Sequence, residues 1–168
     1  MRRAIVVAVM GALILGAFSP AVSAQPRTFR AVLSGGDEVP ARDTQARGVA
    51  TFMLSADGTE LNYRIVVANI SNVFAAHIHC GAPGVAGPIG VTLFMGSAAS
   101  GPVNGILTVD SVSAPDAGNA CGWTDLDAVV AALESGSTYV NVHTDDGVAP
   151  PDTGPGDFPG GEIRGQLF

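Results

Sequence analysis

The sequence predicts an all-β domain, an antiparallel Greek-key sandwich or flattened barrel of the immunoglobulin-like or superoxide-dismutase-like kind, with one short surface helix. Three observations carry this. Most segments alternate apolar and polar residues with period two, the signature of half-buried strands. Gly, Pro, Asp and Asn clusters separate them at short intervals. About eight such strands in a single-domain length suit two packed layers or a closed sheet rather than an open one.

The first 24 residues read as an export signal rather than as fold. Arg2 and Arg3 form a basic end, Ala4 to Phe18 is apolar, Pro20 breaks the run, and Val22-Ser23-Ala24 is a small-residue cleavage site. The apolar run is too short for a membrane anchor. Cleavage after Ala24 leaves a single domain over residues 25–168 and takes the net charge from −7 to −9, because Arg2 and Arg3 are the only charged residues removed. The chain has no lysine. Such a surface repels nucleic acid and anionic headgroups, so neither is expected as a partner, and no membrane association is expected after cleavage. The expected location is secreted or periplasmic, and the expected partner is an extracellular protein or a metal ion.

The strands are expected in this order. Thr28 to Leu33 is the first and Gly48 to Ser55 the second, with Val49, Thr51 and Met53 opposite Ala50, Phe52 and Leu54. Ala56-Asp57-Gly58-Thr59 is a hairpin turn, since Asp-Gly suits positive φ values. Leu61 to Ala68 returns, and Ala75 to His79, Ile89 to Met95, Gly105 to Asp110, Thr138 to His143 and Glu162 to Leu167 follow. The last strand alternates Glu162, Arg164 and Gln166 with Ile163, Gly165 and Leu167, which reads as a protected edge with one polar and one buried face. Glu162 and Arg164 on that polar face have the spacing of a cross-strand ion-pair pattern. The helix begins near Thr124-Asp125-Leu126-Asp127, which has capping-box spacing, continues through Val129, Val130 and Leu133, and stops at Gly136. Trp123, just before it, reads as a core anchor.

All three histidines fall in two of these strands, Ala75-Ala76-His77-Ile78-His79 and Tyr139-Val140-Asn141-Val142-His143. Alternation puts His77 and His79 on one face with Ile78 behind them. It puts Tyr139, Asn141 and His143 on one face with Val140 and Val142 behind them. Residues two apart on a strand lie about 6.6 Å apart and neighbours across strands about 5 Å. If the strands are adjacent, three imidazoles can therefore reach one ion. Three neutral ring nitrogens suit copper or zinc. The competing reading makes the rings hydrogen-bonded packing residues that tie loop carbonyls to the sheet. Each histidine strand runs into a Gly/Pro-rich loop, Gly81 to Pro88 and Asp145 to Gly161, and such loops are where sites are commonly built. The acids of the second loop, Asp145, Asp146, Asp152 and Asp157, are candidate acceptors for a ring N–H beside a metal.

Cys80 and Cys121 are the only cysteines. In an oxidising compartment a lone pair bonds to itself. The other reading makes Cys80 a metal ligand, although a continuous strand points it away from His79. Asp37 and Glu38 are adjacent and so make a poor catalytic carboxylate pair, and Glu38-Val39-Pro40 reads as shaping the loop after the first strand. No serine elbow, zinc-protease, phosphate-loop or dinucleotide motif occurs. The chain is therefore not expected to be an enzyme of those classes. The chemistry left open is copper-dependent redox chemistry.

Four motifs in order resemble the CHRD domain, a module repeated in the developmental protein chordin and found alone in secreted microbial proteins. They are Leu33-Ser34-Gly35-Gly36-Asp37-Glu38-Val39-Pro40, Ala76-His77-Ile78-His79 with its loop, Tyr139-Val140-Asn141-Val142-His143-Thr144, and Gly160-Gly161-Glu162-Ile163-Arg164-Gly165-Gln166-Leu167. The resemblance implies an extracellular or periplasmic β-sandwich acting as a binding or structural module, without a defined activity. Cys80 stands where members often carry glycine, which supports a subgroup disulfide with Cys121. A second likeness is to the copper frame of copper/zinc superoxide dismutases, where a His-x-His pair and a late histidine are copper ligands. It implies copper held by His77, His79 and His143. No histidine remains for the bridging and zinc positions of that family, and Arg164 lies further past the Gly-Gly pair than that family's guiding arginine. The likeness therefore implies a mononuclear, copper-only relative.

Overall fold

The computed structural model describes residues 27–168, so the expected signal segment lies outside the described residues. Eight strands form one antiparallel sheet: β1 Thr28–Ser34, β2 Arg47–Leu54, β3 Leu61–Ser71, β4 Val73–Cys80, β5 Ile89–Met95, β6 Pro102–Val112, β7 Thr138–Thr144 and β8 Ile163–Gln166. The spatial order is β5-β4-β7-β8-β1-β2-β3-β6. The sheet curls until its edges, β5 and β6, approach, giving a nearly closed barrel. Near that seam the Tyr63 hydroxyl of β3 donates to the Leu93 carbonyl of β5 at 2.6 Å. Burying both a ring and a satisfied hydroxyl there stabilises closure.

Alternation sets the interior. Phe29, Ala31 and Leu33 of β1 meet Ala50 and Phe52 of β2, Leu61, Ile65 and Val67 of β3, Ile78 of β4, Val91 and Leu93 of β5, Val140 and Val142 of β7, and Ile163 of β8 in one core. The Ser55–Glu60 turn closes the β2–β3 hairpin with positive φ at Gly58 alone, while the Asp57 carboxylate accepts from the Thr59 amide at 3.2 Å. Only one of the two Asp-Gly residues therefore needs the left-handed region. Helix α1, Leu126–Glu134, adds Leu126, Val129, Val130 and Leu133 to the core. Its cap is Asp125, whose carboxylate accepts from the Ala128 amide at 2.9 Å, one residue later than the capping-box spacing suggested. Thr124 instead donates to Asp125 at 3.0 Å, holding the capping carboxylate. Gly136, at φ 67°, ends the helix as expected.

Two expectations about the polar strand faces are corrected. β8 is not an edge: it lies between β7 and β1, and Glu162 and Arg164 are both buried. Nor do these two form an ion pair. Glu162 accepts from Thr44, Thr144 and the Gly156 amide, and Arg164 donates to the Ala82 carbonyl at 3.1 Å. The histidine-bearing faces of β4 and β7 are likewise not open to water. The Gly/Pro loops fold over them, so both strands are buried on both sides.

Candidate metal centre

The positions of the three histidines follow from strand register. In the β4–β7 pairing, His77 stands opposite Asn141 and His79 opposite Tyr139, while His143 stands opposite Ala75. His143 is thus diagonal to His77 on the same face. On the other side of β4, the pairing with β5 shifts between Ala76 and His77 and again between Ile78 and His79. Such irregularities turn side chains out of the regular pleat and are common beside sites. Ring centroids end up 4.9 Å apart for His77–His143, 5.6 Å for His77–His79 and 5.7 Å for His79–His143. One nitrogen from each ring lies within 4.8 Å of the other two. Ligation at about 2.0 Å requires nitrogens roughly 3.3–3.5 Å apart, so the cluster needs only modest ring movement to close.

Hydrogen bonds to two of the rings identify their free nitrogens. His79 Nδ1 is 2.9 Å from the Gly87 carbonyl, and His143 Nδ1 is 2.9 Å from the Pro159 carbonyl. A carbonyl only accepts, so each Nδ1 carries the proton and each Nε2 keeps its lone pair. Those two Nε2 atoms are buried with no hydrogen-bond partner, and so is His77 Nδ1. Three unpartnered ring nitrogens buried in one place run against the rule that buried polar atoms are paired. The carbonyls that set the tautomers come from the two loops that follow the histidine strands. The sequence expects Asp145, Asp146, Asp152 and Asp157 as acceptors for the ring N–H groups; main-chain oxygen fills that role for His79 and His143 instead.

Burial also sets the charge of the rings. Desolvation, helped by the neighbouring His143 and His79, pushes His77 down to about 4, with the Asp116 carboxylate pulling weakly the other way. Desolvation likewise pushes His79 down to about 4 despite its bond to Gly87. Burial holds His143 below the ordinary imidazole range as well. At neutral pH the cluster is uncharged and ready to donate three lone pairs.

The polar side chains around the rings hold the covering loop. Tyr139 stacks on His79 with centroids 4.9 Å apart and planes 12° from parallel. Its hydroxyl accepts from the Gly87 amide at 3.0 Å and donates to the Gly87 carbonyl at 3.2 Å. The Arg164 guanidinium lies 3.5 Å from the centre of the Tyr139 ring. Gln166 donates to the Gly81 and Gly136 carbonyls at 2.8 and 2.9 Å. The alternating polar residues of the last strand therefore clamp the Gly81–Pro88 loop.

The sequence pattern marks Glu38 only as a loop-shaping residue, and it belongs to this neighbourhood. Burial drives its carboxyl up to about 7, although Arg164, Arg42 and the Asn141 amide all favour the charged form. Asn141 Nδ2 approaches Glu38 Oε2 at 3.4 Å, and Glu38 Oε1 has no partner. Its neighbour Asp37 accepts from Ser34 at the surface, which separates the two acids as alternation implied. The signal for Glu38 was its motif, Gly-Gly-Asp-Glu-Val-Pro. Nothing in local spacing shows that β1 lies two strands from β7.

Asp145, Asp146 and Asp157 form a second cluster, with one oxygen from each within 4.8 Å of the others. Asp152 pairs instead with Arg42 at 3.0 Å. Hydrogen bonds from the Thr153 amide and hydroxyl hold Asp157 below the usual carboxylate range. The Asp146 amide adds the weakest pull from outside ordinary hydrogen-bond geometry. Glu162 is occupied by its three donors and touches no histidine nitrogen. Cys80 and Cys121 are joined by a disulfide with Cα atoms 5.8 Å apart, so Cys80 has no thiolate to offer. Trp123 is half-buried against the core, and its ring covers Gly90 so closely that a Cβ there would overlap it.

A family model for the CHRD domain matches residues 29–151. None of the curated proteins and none of the solved structures matches the chain. The matched span holds the Glu38 motif, both histidine strands and all three histidines, and stops short of β8. With most of its length matched and the motifs in order, the chain belongs to the CHRD domain family.

Proposed function

We propose that this CHRD domain works outside the cytoplasm as a mononuclear copper-binding module, with His77 Nδ1, His79 Nε2 and His143 Nε2 as ligands. The observation that carries the reading is the convergence of three buried imidazoles, each with a ring nitrogen that has no hydrogen-bond partner. A neutral imidazole has a single N–H to give a loop carbonyl, and its other nitrogen can be met only by a donor or an ion. Here each of two rings spends one nitrogen that way and keeps the other aimed inward. The donor set fits the metal. Three neutral imidazoles without thiolate suit copper, which stands highest among the divalent first-row ions at nitrogen sites. Since burial keeps the rings deprotonated, no proton need be displaced at neutral pH. Copper would supply one-electron redox capacity when bound. The protein's part is to orient the rings through Gly87 and Pro159 and to keep water from them.

Location outside the cytoplasm is supported by the family, whose domains are extracellular, and by the disulfide, which suits an oxidising compartment. A metal-independent role as an extracellular binding or structural module is the second reading, supported by family membership alone.

Equilibrium dialysis against copper(II), with zinc in competition, tests the proposal. Wild-type protein should retain one copper per chain in the presence of equal zinc. The variant with His77, His79 and His143 all changed to alanine should retain none. Equal retention by the two proteins would leave only the metal-independent reading.

A further inference from the structure

The loop between β7 and β8 carries a second cluster whose chemistry differs from that of the histidines. Asp145 and Asp146 open the loop and Asp157 returns to them near its end. In each carboxylate one oxygen is fixed by donors from the chain. Asp145 Oδ1 accepts from the Gly147 amide at 2.7 Å, and Asp146 Oδ1 accepts from the Val148 amide at 2.8 Å. Asp157 Oδ2 accepts from the Thr153 amide and hydroxyl at 2.9 and 2.7 Å. The second oxygen of each keeps its lone pairs for a cation.

Acidic groups often gather at surfaces without binding anything. Two facts set this group apart. Asp157 is only 2% exposed, and its Oδ1 is buried with no hydrogen-bond partner. Neither ion pair among the described residues involves Asp145, Asp146 or Asp157, since these pairs are Arg27–Glu134 and Arg42–Asp152. Three carboxylates held within 4.8 Å of one another with no cation beside them repel. A carboxylate oxygen buried without a donor costs free energy in addition.

We infer that Asp145, Asp146 and Asp157 form a calcium site that fastens the β7–β8 loop to the end of β7. All the side-chain donors are hard oxygens, which favour calcium or magnesium over copper or zinc. Calcium tolerates irregular coordination completed by main-chain carbonyls and water, as a Gly/Pro-rich loop can supply, whereas magnesium demands a near-octahedral shell. The site stands apart from the histidine cluster by ligand chemistry and by residues. Its effect on that cluster would pass through the loop, because the same loop presents the Pro159 carbonyl that orients His143.

Calorimetric titration of metal-free protein with calcium chloride tests this. Wild type should bind one calcium per chain with a dissociation constant of about 10⁻⁵ to 10⁻³ M. Asp157→Asn should weaken binding at least tenfold. The half-buried Asp146→Asn should do the same, which keeps the test decisive if the buried variant fails to fold. The triple histidine-to-alanine variant, which abolishes the proposed copper site, should still bind one calcium per chain, because none of its three changes removes a carboxylate. The inference is overturned if wild type takes up no calcium at about 10 mM. Unchanged affinity in Asp146→Asn, or displacement of calcium by equimolar magnesium, would overturn it too.

Discussion

His77 and His143 face each other diagonally across the β4–β7 pair, with ring centroids 4.9 Å apart, because Asn141 and not His143 occupies the position opposite His77. The one-pleat offset matters. Directly opposed rings would stack on each other, whereas a diagonal pair leaves room for His79 to close a triangle. Asn141, in the remaining place, faces Glu38 rather than the histidine cluster.

If that triangle is a binding site, an ion held there must stabilise the fold. A ligand at one hundred times its dissociation constant adds about 2.7 kcal/mol to unfolding. Thermal melting of wild type should therefore move upward by several degrees when copper is added in such excess. His143→Ala removes one vertex and the ring tied to Pro159, so its melting temperature should not respond. An equal upward shift in both proteins would show that copper stabilises the chain from elsewhere.

Metal-free protein should lose stability as it is acidified. His77 and His79 titrate near 4 in the fold and near 6.5 when unfolded. Below pH 6.5 the unfolded chain takes up protons that the folded chain refuses, so stability falls until about pH 4. Each such ring contributes on the order of 3 kcal/mol over that window. Glu38 acts in the opposite sense: it titrates near 7 in the fold against 4.5 unfolded, so acidification from 7 to 4.5 favours the folded state. The histidines outnumber it, and the net effect is loss. Urea midpoints from pH 7 to 4.5 should fall in wild type and fall less in the triple alanine variant. A flat or rising profile in wild type would contradict the burial of neutral rings. The same depression moves copper release from near pH 6, where ordinary histidines would let go, toward pH 4 to 5.

Much of this was legible in the chain. Period-two alternation located all eight strands, and Ile78, Val140 and Val142 at alternate places announced which way the histidines point. Alternation, however, says which residues share a face and not what covers that face. Glu162 and Arg164 therefore read as solvent-side residues, and only the return of the 81–88 and 145–161 loops makes them buried. Strand order was hidden for the same reason. The place of β8 between β7 and β1 depends on long-range pairing, and its four residues look like those of any protected edge. Glu38 became visible only when the loop after β1 was set beside β7 and β8.

Gly87 lets the first covering loop approach β4. A Cβ built on it would lie 1.6 Å from the Cys80 carbonyl oxygen, so any side chain forces the loop outward. Its own carbonyl accepts from His79 Nδ1, and Tyr139 grips both of its main-chain groups. Gly87→Ala should thus leave strand content unchanged by circular dichroism while His79 loses its orienting partner. Loss of such a partner costs about 10–100-fold in metal affinity. Competition with a chromophoric copper chelator would read this, and undiminished affinity would show that the Gly87 carbonyl does not position the ring.

Glu162 should matter to the fold and not to the proposed copper site. Its carboxylate is fully buried and accepts from Thr44 at 2.6 Å, Thr144 at 2.7 Å and the Gly156 amide at 2.9 Å. Glu162→Gln replaces one acceptor oxygen with a donor facing other donors. Bonds to a buried charged group are each worth about 1.5–3 kcal/mol, so the expected loss is about 3 kcal/mol in urea unfolding. Copper stoichiometry should remain one per chain at temperatures where the variant is folded. Loss of copper from a fully folded variant would assign Glu162 a direct role that its hydrogen bonds do not indicate.

The disulfide separates the two readings that the cysteines allowed. Cys80 ends β4 immediately after His79, and Cys121 lies in the segment before α1. The bond closes a loop of 41 residues that includes β5 and β6, the two edges of the barrel. By the chain-entropy argument, closing such a loop removes about 4 kcal/mol of unfolded-state freedom. If Cys80 were a ligand, replacing it would abolish copper binding. If it only staples the barrel, the double change Cys80→Ser with Cys121→Ser should lower unfolding stability by about 4 kcal/mol and leave one copper per chain. The double variant avoids an unpaired thiol, which would itself bind copper and obscure the result. Unchanged stability would contradict the chain-entropy account of the bond.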